Sequence, residues 1–291
     1  MKHADVIHCI GDSHASFFSG QNGMQPRWPE KASNVIPFLN SYRLGAVLAY
    51  NLCQEGSSSH GREKLFNLLR EIPKGSYVLM SFGEIDCRAH LIKQAQKQNR
   101  LITEVVPECV KRYFDVLLEI KKDFNVIAWA VIPSTSLENI IDPRYPHVGS
   151  NHERNDVTKI FNDNLKMLAQ KNAIPFISIF HQLIYPDGST NNKFFIDKIH
   201  LSQRAMPLFI KQLEKDLPAF HKKLYINKII LKLPDNLQYQ LITLQSTTKT
   251  LFFQLSNNLK KVIRNTTKKS ILAIFGPQIL QNVKIILRKL K

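Results

Sequence analysis

Two short blocks in this chain of 291 residues carry the elements of nucleophilic catalysis. The first is Ile10-Gly11-Asp12-Ser13-His14, at the end of an apolar run that begins at Val6. A glycine there allows a tight strand-to-helix turn. Ser13 is then left at the strand's carboxyl edge and at the start of the next helix, where its backbone N–H can help hold an oxyanion. The second block is Asp197-Lys198-Ile199-His200, between the last predicted strand and the last predicted helix of the core. A serine hydroxyl is a poor nucleophile until a base takes its proton, and an imidazole is well placed for this when a carboxylate fixes its tautomer. An aspartate three residues before the histidine reaches it within one turn. Each block also has a plain structural reading: Ser13 as a helix N-cap, and D-x-x-H as a capping arrangement ahead of Leu201.

Two further segments fall at predicted strand ends: Asn40-Ser41-Tyr42-Arg43-Leu44-Gly45 and Ser81-Phe82-Gly83-Glu84-Ile85-Asp86-Cys87-Arg88. The four blocks in order (G-D-S, an isolated Gly45, G-x-x-D and D-x-x-H) resemble the SGNH/GDSL hydrolase superfamily over residues 5–217. The resemblance implies a three-layer α/β/α fold with a central parallel sheet, of the flavodoxin-like kind. It implies Ser13 as nucleophile, His200 as base and Asp197 as the group that orients it. The backbone N–H groups of Ser13 and Gly45 would contribute to the oxyanion hole. One departure matters. The family's third block usually reads G-x-N-D, and Ile85 stands where the asparagine would donate to the oxyanion. Losing such a donor typically costs about 10²–10³ in rate, and Arg88, with its permanently charged fork of donors, is the nearest replacement. Equally, Glu84, Asp86 and Arg88 read as a local ion-pair cluster supporting the loop. Asp12, His14, Gly83, Glu84 and Asp86 are expected around the site, touching substrate or supporting the residues that do. Arg144 and Arg154, in the long loop Ile141–Arg154, are expected on a substrate-binding rim.

The elements that must position these residues follow from periodicity. Apolar runs predict strands over 5–10, 34–39, 77–82, 126–132 and 175–180. Helical spacing predicts helices over 44–53, 62–72, 102–124, 155–171 and 202–217. Strand–helix alternation points to a parallel sheet covered on both faces, whose ligands sit at the strands' carboxyl ends. The net charge of +17 is uneven: residues 221–291 hold fourteen Lys or Arg against the single acid Asp235, and the first 220 residues are close to balanced. The chain thus divides into a catalytic domain over 1–220 and a basic amphipathic helical tail over 221–291. Tail stripes such as Leu251, Leu255, Leu259 and Val262 read as interfacial, able to meet an anionic membrane surface or to pack on protein. The tail's scarcity of aromatics speaks against nucleic acid.

Four scattered cysteines, Cys9, Cys53, Cys87 and Cys109, and the absence of a signal-like segment predict a cytoplasmic protein, with the tail allowing attachment at the inner face of a membrane. No metal-ligand spacing, phosphate-binding glycine loop or dinucleotide fingerprint is present, so no cofactor or metal is expected. The expected activity is acyl transfer from an ester, to water or to a sugar hydroxyl, with a glycan or glycolipid ester favoured. That preference rests on the Gly-Glu-Ile-Asp-Cys-Arg variant, which resembles SGNH-like proteins of bacterial surface-polysaccharide genes. The competing expectation is a catalytically weak domain of the same fold that binds a glycan or a partner protein.

Overall fold

The computed structural model describes residues 6–36, 38–135, 147–197 and 199–217; the tail over 221–291 and Arg144 lie outside them. Five strands, β1 (Ile7–Gly11), β2 (Leu39–Arg43), β3 (Tyr77–Ser81), β4 (Asn125–Trp129) and β5 (Phe176–Ile177), form one sheet in the order β2-β1-β3-β4-β5. Every pairing is parallel. This is the flavodoxin-like doubly wound order, in which the chain reverses its direction of travel between β1 and β3 and opens a crevice there. The loop after β1 carries Ser13, so the nucleophile candidate lies at the switch point.

Side chains alternate across the pleat, and the two faces feed two cores. Ile10, Val78, Met80, Val126 and Ala128 face α1 (Gly61–Glu71), α2 (Leu91–Gln98), α3 (Ile102–Lys121) and α4 (Asn151–Lys171). Ile7, Cys9, Leu79, Ile127 and Trp129 face the 3₁₀ segment Ser13–Ser19 and α5 (Met206–Asp216). The result is the three-layer α/β/α fold. Among the described residues no helix is long and apolar enough to cross a membrane.

Four elements differ from the sequence expectation. The apolar run ending at Leu39 is not the second strand. Val35, Ile36 and Phe38 pack into or against the second core as a loop, and the strand is Leu39-Asn40-Ser41-Tyr42-Arg43, polar because it is a sheet edge. Residues 44–53 form turns, not a helix, because Gly45 adopts φ +104° and the N–H groups of Ala49 and Tyr50 turn to the Asp86 carboxylate. The π-helical segment Asp86–His90 and α2 were not anticipated.

Gly11 marks where β1 and β3 come closest. A Cβ there would stand 2.2 Å from the Ser81 carbonyl oxygen, a backbone atom that cannot swing aside. Gly11→Ala is therefore expected to lower unfolding free energy by about 3 kcal/mol through overpacking. Urea denaturation checks this, and a loss under about 1 kcal/mol would mean that the strands can part at no great cost.

Candidate active site

Ser13 and His200 stand 187 residues apart in sequence, yet His200 Nε2 lies 2.9 Å from Ser13 Oγ. Its Nδ1 lies 2.7 Å from Asp197 Oδ2. Asp197 Oδ1 meanwhile accepts the N–H groups of Ile199 and His200, at 3.1 and 2.8 Å. One carboxylate therefore caps its own turn with one oxygen and holds the imidazole with the other, so the structural and chemical readings of D-x-x-H coexist. The turn is closed at its base by the Phe195–Leu201 bridge and by the Ile196 N–H bonded to the His200 carbonyl. Although partial burial pushes the Asp197 carboxyl up, the bonds from the His200 ring and backbone hold it well below the usual carboxylate range. An ionised Asp197 can only accept, so Nδ1 carries the proton and Nε2 presents its lone pair to the serine hydroxyl. Ser13 begins a 3₁₀ turn, and among the described residues no group accepts from the N–H of Ser13 or of Gly45. Both donors remain available to a developing oxyanion.

Behind this pair runs a buried chain of charge. The His14 ring lies 4.7 Å from that of His200, tilted by 38°. Its Nε2 is 3.0 Å from Glu84 Oε2, and Glu84 Oε1 accepts from Arg88 Nε at 2.7 Å. Burial opposes the ionisation of Glu84, but Arg88 and His14 hold its carboxyl far below its ordinary value. Burial, with smaller contributions from His200 and Arg88, lowers His14 and favours its neutral form; Glu84 pulls the other way. Asp12 bonds the His14 N–H through Oδ1, whereas Oδ2 finds no partner; burial, reinforced by Glu84 and Asp86, pushes its carboxyl well up. Asp12, His14, Glu84, Trp129 and Ile132 line a cavity of about 10 Å³, room for one water beside the unbonded Asp12 Oδ2 and His14 Nδ1.

Several expected site residues take other places. Arg88 is anchored on Glu84 and makes no hydrogen bond to Ser13, so it does not stand in for the absent asparagine. A guanidinium buried with a carboxylate four residues away has its charge already matched. Asp86 does not line the site; its oxygens accept from Ala49 at 2.8 Å and Tyr50 at 3.1 Å, clamping the turns after Gly45. Gly83, with φ +114°, is demanded by packing, because a Cβ would meet Val131 and Phe161 at 2.8 and 2.9 Å. Arg154 is not on a rim. It sits in the first turn of α4, buried, donating to the Ser134 hydroxyl and to the carbonyls of Gly149 and Thr135. The Ser150 cap with its Glu153 partner starts this helix earlier than the apolar pattern alone indicated. A residue not singled out from sequence, Gln203, ties the two halves of the site together. Its backbone N–H bonds Asn22, and its side chain bonds the carbonyls of Phe17 and Gln21. A lone glutamine three residues past His200 gives no sequence signal of this. Among the described residues, no three His, Cys, Asp or Glu side chains are grouped to hold a metal ion.

No protein-family model and no curated protein matches the chain. Solved structures similar to it include a lipase/acylhydrolase from Enterococcus faecalis, at 13% identity over 74% of this chain and 96% of that one, with a TM-score of 0.44. A GDSL-like lipase from Bacteroides thetaiotaomicron is 15% identical over 75% and 91%, at 0.42. A mutant acetylxylan esterase from Geobacillus stearothermophilus is 12% identical over 73% and 93%, at 0.41. At that distance the weight rests on the geometry of the site itself.

Burial raises the Asp86 carboxyl to about 6, against the opposing bonds from Ala49 and Tyr50. Between about pH 4 and 6 the native state then holds a proton that the unfolded chain has released. Stability from this group is present below about pH 4 and lost as pH rises through 6, on the order of 1–3 kcal/mol in all. Asp86→Asn should flatten that part of the profile in urea unfolding at pH 4.5 and 7. A variant whose stability falls as steeply as the wild type's would show that Asp86 is not the group responsible.

Proposed function

We propose that this chain is a serine-dependent ester hydrolase of the SGNH/GDSL type, or an O-acyltransferase using the same acyl-enzyme. The observation that carries the reading is the unbroken line from Asp197 Oδ2 through the His200 ring to Ser13 Oγ, with bonds of 2.7 and 2.9 Å. In this reading the Ser13 hydroxyl gives its proton to His200 Nε2 while Oγ attacks the ester carbonyl carbon. The carbonyl oxygen, now negative, receives the N–H groups of Ser13 and Gly45. Asp197 stabilises the imidazolium without taking its proton. As the tetrahedral intermediate collapses, His200 returns that proton to the departing alkoxide, and an acyl group remains on Ser13. Water, or an acceptor hydroxyl, repeats the sequence in reverse with His200 again as base.

Ile85, buried where a third donor would stand, leaves the oxyanion with less support. Turnover about 10²–10³ below that of a site with three donors is the consequence. The partly exposed Ser13 and His200 and the exposed Asp197 suit a bulky alcohol portion, which favours a glycan or glycolipid ester. The same buried Ile85 favours the second reading, a weak or inactive domain that binds such a glycan or a partner.

Labelling with a fluorophosphonate probe separates the two. The wild type should label, Ser13→Ala should not, and Asp197→Asn should label roughly 10²–10⁴-fold more slowly because the imidazole tautomer is no longer fixed. Wild-type protein that fails to label would leave the binding reading standing.

A further inference from the structure

Beside Gly45 lie two arginines, Arg27 and Arg43, with no carboxylate bonded to either among the described residues. The segment around Arg27 runs beside the end of β2, and Arg27 and Arg43 are partners in a parallel bridge, with the Trp28 N–H bonded to the Arg43 carbonyl at 2.9 Å. Like charges at paired positions repel. Neither arginine forms a salt bridge among the described residues: Arg43 Nε donates to the uncharged Gln25 carbonyl, and Arg27 makes no side-chain hydrogen bond there. Burial lowers the pKa of Arg43 and the nearby positive charge of Arg27 lowers it further; Glu30 offsets this only in part. Among the described residues this concentration of positive charge is offset only in part, by Glu30.

The location of that charge gives it a use. Gly11 pairs with Arg43 in the β1–β2 register, so Ser13 and Gly45 each lie two residues beyond a paired position. The Leu44 N–H bonds the Gly11 carbonyl at 2.8 Å and ties the two loops together. Arg27 lies along Gly45: its Nε, Cδ and Cζ atoms stand 3.6, 3.7 and 3.9 Å from where a Cβ would be. Glycine's φ of +104° there is one that other residues rarely adopt, and the guanidinium covers the surface that it leaves bare. A guanidinium presents a planar fork matched to carboxylate and phosphate oxygens.

We propose that Arg27, backed by Arg43, is the binding site for an anionic group, a carboxylate or a phosphate, carried by the ester substrate. The inference rests on Ser13 being the nucleophile, and it narrows the substrate class from esters in general to acidic ones. An acidic sugar ester or a phosphate-bearing glycolipid ester meets this requirement, and a neutral ester leaves the two cations unmatched. Because Arg27 is exposed, the contribution is that of a screened, charge-assisted contact rather than of a buried ion pair.

Two matched pairs of aryl esters test the proposal: 4-acetoxybenzoate against its methyl ester, and nitrophenyl hemisuccinate against its methyl ester. In at least one pair the wild type should favour the acid, and Arg27→Ala should reduce kcat/KM for the acid about tenfold more than for the ester. Arg27→Gln should behave like alanine, Arg27→Lys should recover part of the preference, and 0.5 M salt, at roughly half the Debye length of physiological buffer, should erode it. Equal losses on acid and ester in both pairs would overturn the proposal, as would no preference in the wild type. Ser13→Ala protein supplies a readout independent of chemistry, since it should bind 4-acetoxybenzoate more tightly than the methyl ester, and only while Arg27 is present. Turnover that persists in Ser13→Ala would instead remove the hydrolase reading, and the binding difference would still decide the question for Arg27.

Discussion

A carboxylate taken out of water must find donors, and three of them (Asp12, Glu84 and Asp86) are buried within five residues of the strand ends at the switch point. Glu84 and Asp86 meet the problem on different partners, whereas Asp12 has one donor and its carboxyl is pushed well up, and together they shape the site. Asp86 reaches out to the N–H groups of Ala49 and Tyr50 and so fixes the turns that follow Gly45. Glu84 is matched by Arg88 and by the ring of His14. Asp12 holds the backbone of His14, immediately after Ser13. Three loops from three strands are thereby locked to one another beside Ser13. A site assembled in this way is pre-organised, because its supporting groups have few alternative partners.

The buried chain also holds Arg88 in the ion-pair cluster that its own block suggested. Arg88 lies in the right block to serve an oxyanion, but Glu84 is four residues earlier on the same turn and claims it. The guanidinium left free to meet substrate is Arg27, which arrives from outside the four blocks. Burial decides between the two. Arg88, inside the fold, is held by its counter-charge, whereas Arg27, exposed and lying on Gly45, has no salt bridge among the described residues and is left for a ligand. The His14 ring, tilted against that of His200 and bonded to Glu84, lies between Arg88's counter-charge and the His200 ring.

How much of this could be read from sequence depends on the scale of the interaction. The blocks around Ser13 and His200 were legible because they are local: Asp12 and Ser13 directly follow Gly11 at the end of β1, and Asp197 reaches His200 within one turn. β3, β4, α1 and α3 were legible because their apolar spacing matches the face they bury. The second strand was not, since an edge strand needs few apolar residues, and the apolar run before it serves the second core as a loop. Residues 44–53 carry helical spacing, but the N–H groups of Ala49 and Tyr50 answer to Asp86, 37 and 36 residues away. Arg154 resembled a loop arginine because the signal that puts it inside a helix is the Ser150–Glu153 cap, not hydrophobic periodicity. Gln203, Arg27 and Arg43 gain their significance only from neighbours distant in sequence, and no local pattern announces them. The tail's reading as a membrane or protein contact lies outside the described residues.

The central claim is that Ser13 Oγ becomes acylated through His200. The measurement that bears on it most directly is mass-spectrometric mapping of acid-quenched protein after brief exposure to nitrophenyl acetate. The account predicts an acetyl group on the peptide containing Ser13, formed with a burst of nitrophenol and absent from His200→Ala. Sustained nitrophenol release with no acetyl group on Ser13, or with the acetyl group on another side chain, would contradict it.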